Sequence, residues 1–156
     1  MTSQRVTFGP AVIEVSSGRV ELGQTIYGGG RLQSSGTATR IPAKKLLKFA
    51  GASQVWTTDL LLGARWQLSA ADAVDGHLEI VREAGDLAVQ VEDTRIALGI
   101  AQLAGTIDVA RSAVDARFDA HSPTLGDVGL EAHTRLALRD GRWGLPGAAP
   151  LRVKGN

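Results

Sequence analysis

DLLLGARWQLSAADAVDGHLEIVREAGDLAVQVEDTRIALGIAQLAGTIDV, residues 59–109, is the stretch whose reading decides the fold. It alternates almost throughout. Leu60, Leu62, Ala64, Trp66 and Leu68 share one parity, with Asp59, Arg65 and Gln67 on the other, which is the period of a strand with one dry face. Leu78 and Ile80 alternate with His77, Glu79 and Val81, and Leu87, Val89 and Val91 with Gln90 and Glu92. Leu98 and Ile100 follow, and Ile107 and Val109 alternate with Thr106 and Asp108. Turn chemistry separates the runs at 71–76, Gly85-Asp86, Glu92-Asp93 and Ala104-Gly105. Five consecutive strands in an up-and-down antiparallel meander are predicted.

Before this stretch, residues 5–8 and 12–15 alternate on either side of Gly9-Pro10, which predicts a hairpin, and Ser17-Gly18 turns the chain toward Val20 and Leu22. Gly28-Gly29-Gly30 lacks the lysine and helix of a phosphate loop, and a polar strand follows it, so it reads as a bulge or loose turn. Residues 42–50 (PAKKLLKFA) form the chain's convincing helix, opened by Pro42 and stopped by Gly51. Its leucines and Phe49 share one face and Lys44, Lys45 and Lys48 the other, suited to packing over one end or edge of the sheet. A small basic helix of this kind also suits anionic head groups or the gating of an apolar groove.

After residue 109, Val114, Ala116, Phe118 and Ala120 alternate with Asp115, Arg117 and Asp119, and Val128, Leu130 and Ala132 with Glu131 and His133. Asp140-Gly141 is a hairpin signal, followed by a Pro-rich corner at 145–150 and a last strand at 151–153. Residues 1–156 thus read as a single β-rich segment of something longer.

Nineteen glycines against five prolines suit tight turns and bulged strands and argue against a helical protein. A net charge of +1 with interleaved signs leaves no basic stripe for nucleic acid. The absence of cysteine removes thiol catalysis, Cys-based zinc sites and disulfides. The carboxylates lie on turns and outward parities and read as solvated, His77, His121 and His133 lack ligand spacing, and no nucleophile elbow is present. Neither catalysis nor a metal or cofactor is expected.

Every strand past Leu60 therefore has one apolar and one polar face, with one short helix as cover. The predicted class is all-β: an antiparallel meander closed on itself, or curled into an open half-pipe with an apolar interior. Leu62, Trp66, Leu78, Ile80, Leu98, Ile100, Val114 and Phe118 are the expected lining of one concave wall. An aliphatic wall without convergent polar groups suits an acyl chain better than a sugar or a nucleotide.

Four motifs carry a family resemblance: Leu62-Gly63-Ala64-Arg65-Trp66-Gln67-Leu68; residues 76–87, GHLEIVREAGDL; the Leu98-Gly99-Ile100 step; and Gly141-Arg142-Trp143-Gly144-Leu145 leading to Ala149-Pro150-Leu151. In that order they resemble the middle-to-late part of the TamB-type subunit of the translocation and assembly module, of the AsmA-like group. The resemblance implies a β-taco with a greased interior in a periplasmic protein anchored in the inner membrane. It implies phospholipid transport and outer-membrane biogenesis, including assembly of autotransporters and other outer-membrane proteins. The implied partners are phospholipid acyl chains and, through the parent protein, an Omp85-type outer-membrane barrel; the N-terminal anchor is missing from this stretch. The alternative is a structural β spacer or adhesin-like repeat with no ligand.

Overall fold

The computed structural model describes residues 5–15, 17–49, 56–139, 142–144 and 151–155. The chain begins with β1 (Arg5–Phe8) and β2 (Ala11–Val15), then β3 (Gly18–Leu22) and β4 (Thr25–Gly28). Gly9-Pro10 is not the expected hairpin turn. β1 pairs with β4 and β2 with β3 in one continuous register, Arg5 opposite Gly28 and Val15 opposite Gly18. β1 and β2 are thus two halves of one interrupted strand, and β3 and β4 are its interrupted partner. Proline is tolerated there because the interruption needs no ladder N–H and the strand lies at a sheet edge. Gly29 and Gly30 both have φ near +60 to +75° (59 and 73°), the left-handed pair that a two-residue turn from β4 into β5 (Arg31–Pro42) requires. The glycine triplet is a hairpin turn.

α1 (Ala43–Phe49) follows directly; the described helix is one residue shorter at its start than predicted, because Pro42 ends β5 opposite Leu61. Ala50, Gly51 and the side chains of Leu46, Leu47 and Phe49 lie outside the described residues, and Lys44, Lys45 and Lys48 are exposed. Next come β6 (Trp56–Thr58), β7 (Leu61–Ala70), β8 (Val74–Ala84), β9 (Leu87–Val91) and β10 (Thr94–Ala97). They are followed by β11 (Gln102–Ala110), β12 (Ala113–Ser122), β13 (Gly126–Arg135), β14 (Ala137–Arg139), β15 (Arg142–Gly144) and β16 (Leu151–Gly155).

Eleven strands form one antiparallel sheet, ordered β1-β4-β5-β7-β8-β11-β12-β13-β16 with β2 and β3 alongside. Its first and last strands do not pair, so it is an open half-pipe, all-β apart from α1. The predicted five-strand meander is corrected first in its pairing. β9 and β10 leave the main sheet and join β6 in a three-stranded sheet, and β8 pairs directly with β11. The neck of this excursion is tied by Asp86. Its carboxylate accepts the N–H groups of Leu87 (2.8 Å), Ile100 (2.8 Å) and Gly99 (2.9 Å), and Gly85 and Gly99 take φ of 80 and 63° to turn the chain out and back. Arg82 closes the same neck, donating to the carbonyls of Gly85 (3.0 Å) and Ala101 (3.1 Å).

A second correction concerns Ala104-Gly105, which lies inside β11 and is no turn. The turn falls instead at Arg111 and Ser112, both with positive φ (48 and 66°). Asp75 and Val74 hold it: the Arg111 N–H donates to Asp75 Oδ1 (2.8 Å), the Ser112 N–H to the Val74 carbonyl (2.7 Å), and the Val74 N–H to Ser112 Oγ (3.0 Å). Those bonds offset the cost of a left-handed backbone in residues that carry a Cβ.

The buried core is small. Ala43, Leu60 and Leu62 pack with Ile80 and Leu103 where α1 meets the end of the sheet. No large described side chain is fully buried. The accessible surface, 10871 Å² for a 16.4 kDa chain, exceeds the roughly 7,500 Å² of a compact monomer of that mass. Most apolar side chains are therefore stabilised by neighbours in the same face rather than by a second layer.

Candidate functional site

Because alternate side chains leave a strand on opposite sides, the cross-strand register decides what each face presents. One row on the apolar face runs edge to edge through Ile13, Val20, Ala38, Ala64, Ile80, Gly105, Phe118, Leu130 and Val153. The adjacent row runs through Ala11, Leu22, Gly36, Trp66, Leu78, Ile107, Ala116 and Ala132. Neither contains a charge. Across β7, β8, β11, β12 and β13, Arg82 is the one charged residue of this parity, and it lies at the end nearest the excursion, opposite Leu62.

Two of the large rings of this face, Trp66 and Phe118, lie over glycines. A methyl group at Gly36 would sit 2.4 Å from the Trp66 ring, and one at Gly105 would sit 2.3 Å from the Phe118 ring. The missing side chain lets each ring lie down against the neighbouring strand rather than stand up from the face. Trp66 also donates its indole N–H to Ser34 Oγ (3.3 Å). The centre of the face is consequently low, while Phe8 and Tyr27 stand exposed on the same parity near the β1 edge.

Of the eight expected lining residues, the register brings Leu62, Trp66, Leu78, Ile80, Val114 and Phe118 onto this one face. Leu62 is 9% exposed and the other five are half-buried. Leu98 and Ile100 are not strand residues. They belong to the return segment 98–101: the Leu98 N–H bonds to the Leu87 carbonyl (2.9 Å), its carbonyl accepts Ser122 Oγ (2.6 Å), and the Ile100 N–H is held by Asp86. Their apparent alternation comes from a segment shaped by side-chain hydrogen bonds and Gly99.

The opposite face is a charge ladder. One row reads Val12, Glu21, Thr37, Arg65, Glu79, Thr106, Arg117, Glu131 and Arg152, so that adjacent charges alternate in sign or are separated by threonine. Lys154 donates to Glu131 (3.2 Å) and holds its carboxyl below the usual range. All three histidines of the chain meet an aspartate of the next strand: His77 with Asp108 (2.5 Å), His121 with Asp127 (2.5 Å) and His133 with Asp115. The Asp108 carboxylate, and after it Glu79, raises the His77 pKa above its ordinary value.

Two carboxylates expected to be solvated have structural work instead. Burial pushes the Asp86 carboxyl up, but the N–H groups of Ile100, Gly99 and Leu87 and the nearby Arg82 outweigh it and hold the pKa low. Glu83 reaches across Gly63, where a methyl group would sit 2.6 Å from its Oε1, to accept the Arg40 N–H (2.6 Å) at a bulge in β5. Asp86 beside Gly85 was the one sequence signal available; Glu83 meets Gly63 only through the cross-strand register, which parity alone does not carry.

Depressions lie on the polar side. One of about 640 Å³ is bounded by Gln102, Arg117, Asp119, His121, Asp127, Glu131 and Lys154, whose charges are largely spent on one another. Among the described residues no group of three or more His, Asp or Glu could hold a metal ion, and no helix is long and apolar enough to cross a membrane. No family model, no curated protein and no solved structure matches the chain, so its functional reading rests on the two faces themselves.

Proposed function

We propose that the apolar face is a sliding surface for phospholipid acyl chains, in a segment of a periplasmic bridge between the inner and outer membranes of the translocation and assembly module type. One observation carries this reading: aliphatic rows cross the whole sheet, half-exposed, with no second layer over them among the described residues. A contiguous exposed apolar face marks a surface that something apolar visits, and a strip without convergent polar groups selects for hydrocarbon rather than for a head group. The Omp85-type barrel and the role in outer-membrane protein assembly belong to the parent protein in this reading.

The test uses adjacent residues on opposite faces. A photo-crosslinking side chain at Leu78 is expected to capture phospholipid and the same group at Glu79 is not, and the purified protein carries phospholipid in a native mass spectrum. Equal capture at both positions, or at neither, supports the ligand-free spacer instead.

A further inference from the structure

Among the described residues the β1–β2 strand and β16 each pair on one side only, and these two edges differ in what they accept. Edge strands present unpaired N–H and C=O groups that can template another strand. At the β16 edge, Arg152 and Lys154 share the polar face, so antiparallel pairing with a second copy centred on Arg152, Val153 or Lys154 sets cation against cation. Like charges directly opposite disfavour pairing. That edge is guarded against itself.

The β1–β2 edge is the reverse. Because the strand is interrupted at Gly9-Pro10, its apolar-face residues are Val6 and Phe8 before the break and Ala11 and Ile13 after it. This change of phase makes the strand self-complementary. A second copy, antiparallel and related by a two-fold axis through the break, sets Phe8 against Ala11, Val6 against Ile13, Thr7 against Val12 and Arg5 against Glu14. Apolar face meets apolar face, and by symmetry two opposite-charge pairs form. Neither Arg5 nor Glu14 has an ion-pair partner among the described residues; Arg19, the cross-strand neighbour of Glu14, turns its Nε to Glu21 (2.8 Å). Val6, Phe8, Val12 and Ile13 are 43, 61, 55 and 47% exposed. Pro10, which has no N–H, falls opposite Gly9 of the other copy, where the ladder is already interrupted.

We infer that the β1–β2 edge is an isologous interface at which two copies of this chain join their sheets, with their apolar faces on the same side. β16 offers no matching contact with a second β16, so this isologous contact joins the described sheets in pairs.

Sedimentation velocity of the protein is expected to show a monomer–dimer equilibrium that stops at the dimer. Arg5→Glu and Glu14→Arg each weaken it roughly tenfold, since each breaks two symmetry-related pairs of up to about 1 kcal/mol, while the double swap restores it. The chain has no cysteine, so register is read directly. A mixture of Thr7→Cys and Val12→Cys proteins forms an intermolecular disulfide and neither variant alone does; Val6→Cys with Ile13→Cys covers the other hydrogen-bonding phase of the ladder. Circular dichroism confirms that each variant keeps its sheet. A monomer at every concentration, a Thr7→Cys or Val12→Cys protein that cross-links by itself, a Val153→Cys protein that does so through β16, or growth beyond the dimer overturns the inference.

Discussion

The row through Ala64 and Ile80 and the row beside it through Arg65 and Glu79 cross the same strands on opposite faces, and they specify different things. On the apolar side, sliding β8 by two residues replaces Ile80 by Leu78 and changes little. On the polar side the same slip moves Glu79 away from Arg65 and sets His77 there. Hydrophobic burial holds the strands together without choosing a register, and the charge ladder, with glycines placed under Trp66 and Phe118, chooses it. Away from those two rings the apolar face is freed from specifying register and can be aliphatic, as the acyl-chain surface we propose requires.

The register is most sensitive at Gly105. Gly105→Val drives a side chain into the Phe118 ring and is expected to cost about 3 kcal/mol by urea unfolding, at the upper end for overpacking. Phe118→Ala in that background recovers part of the loss. A neutral Gly105→Val shows that the ring does not fix the register. Asp86→Ala leaves the N–H groups of Leu87, Gly99 and Ile100 without their acceptor and is expected to cost about 2 kcal/mol. The Asp86 carboxyl has a lowered pKa, so its contribution is present above the ordinary carboxylate range and is lost as pH falls through the folded value. The gap between wild type and variant therefore narrows in acid, while exchange of the Gly99 and Ile100 amides accelerates at neutral pH.

Leu78→Asp asks whether the face is open. A charge that water can reach costs about 1 kcal/mol there, and one sealed beneath a second layer costs several. A small stability loss together with loss of lipid capture is expected. The smallest effect belongs to His77→Gln. His77 has a raised pKa, so its pairing with Asp108 contributes below the unfolded value of 6.5 and is lost as pH rises through the folded value. Wild type and variant are expected to converge in alkaline buffer and to separate only in mild acid. A difference that persists at high pH contradicts the ion-pair account.

The sheet was legible from the sequence because strand parity is a local property: Leu62, Trp66, Leu78, Ile80, Val114 and Phe118 reach one face through alternation alone. What was not legible depends on partners distant in sequence. Gly105 reads as a turn until Phe118 is known to lie over it, and Arg111-Ser112 carries no turn signature until Val74 and Asp75 supply its hydrogen bonds. The exit of β9 and β10 was hidden for the same reason. Leu87, Val89 and Val91 alternate as well as any strand of the main sheet, and only Asp86, tying Leu87 to Gly99 and Ile100, sends them elsewhere. The phase change at Gly9-Pro10 was visible as a break, but its meaning needed the register with β3 and β4.

Each rung of the main sheet pairs only with the rung before it and the rung after it, and outside the excursions those are also its neighbours along the chain. Such a molecule behaves as a one-dimensional array. Its free energy is close to a sum of rung and neighbour contributions, so the outer rungs open without the centre, and protection from exchange falls from β7–β8 toward both ends. Its length is also adjustable: inserting one hairpin adds two rungs, restores the chain direction and leaves both the dry rows and the charged ladder in phase. An array with that property can be fitted to a gap of any width by repetition alone, with no new core to be invented at any step.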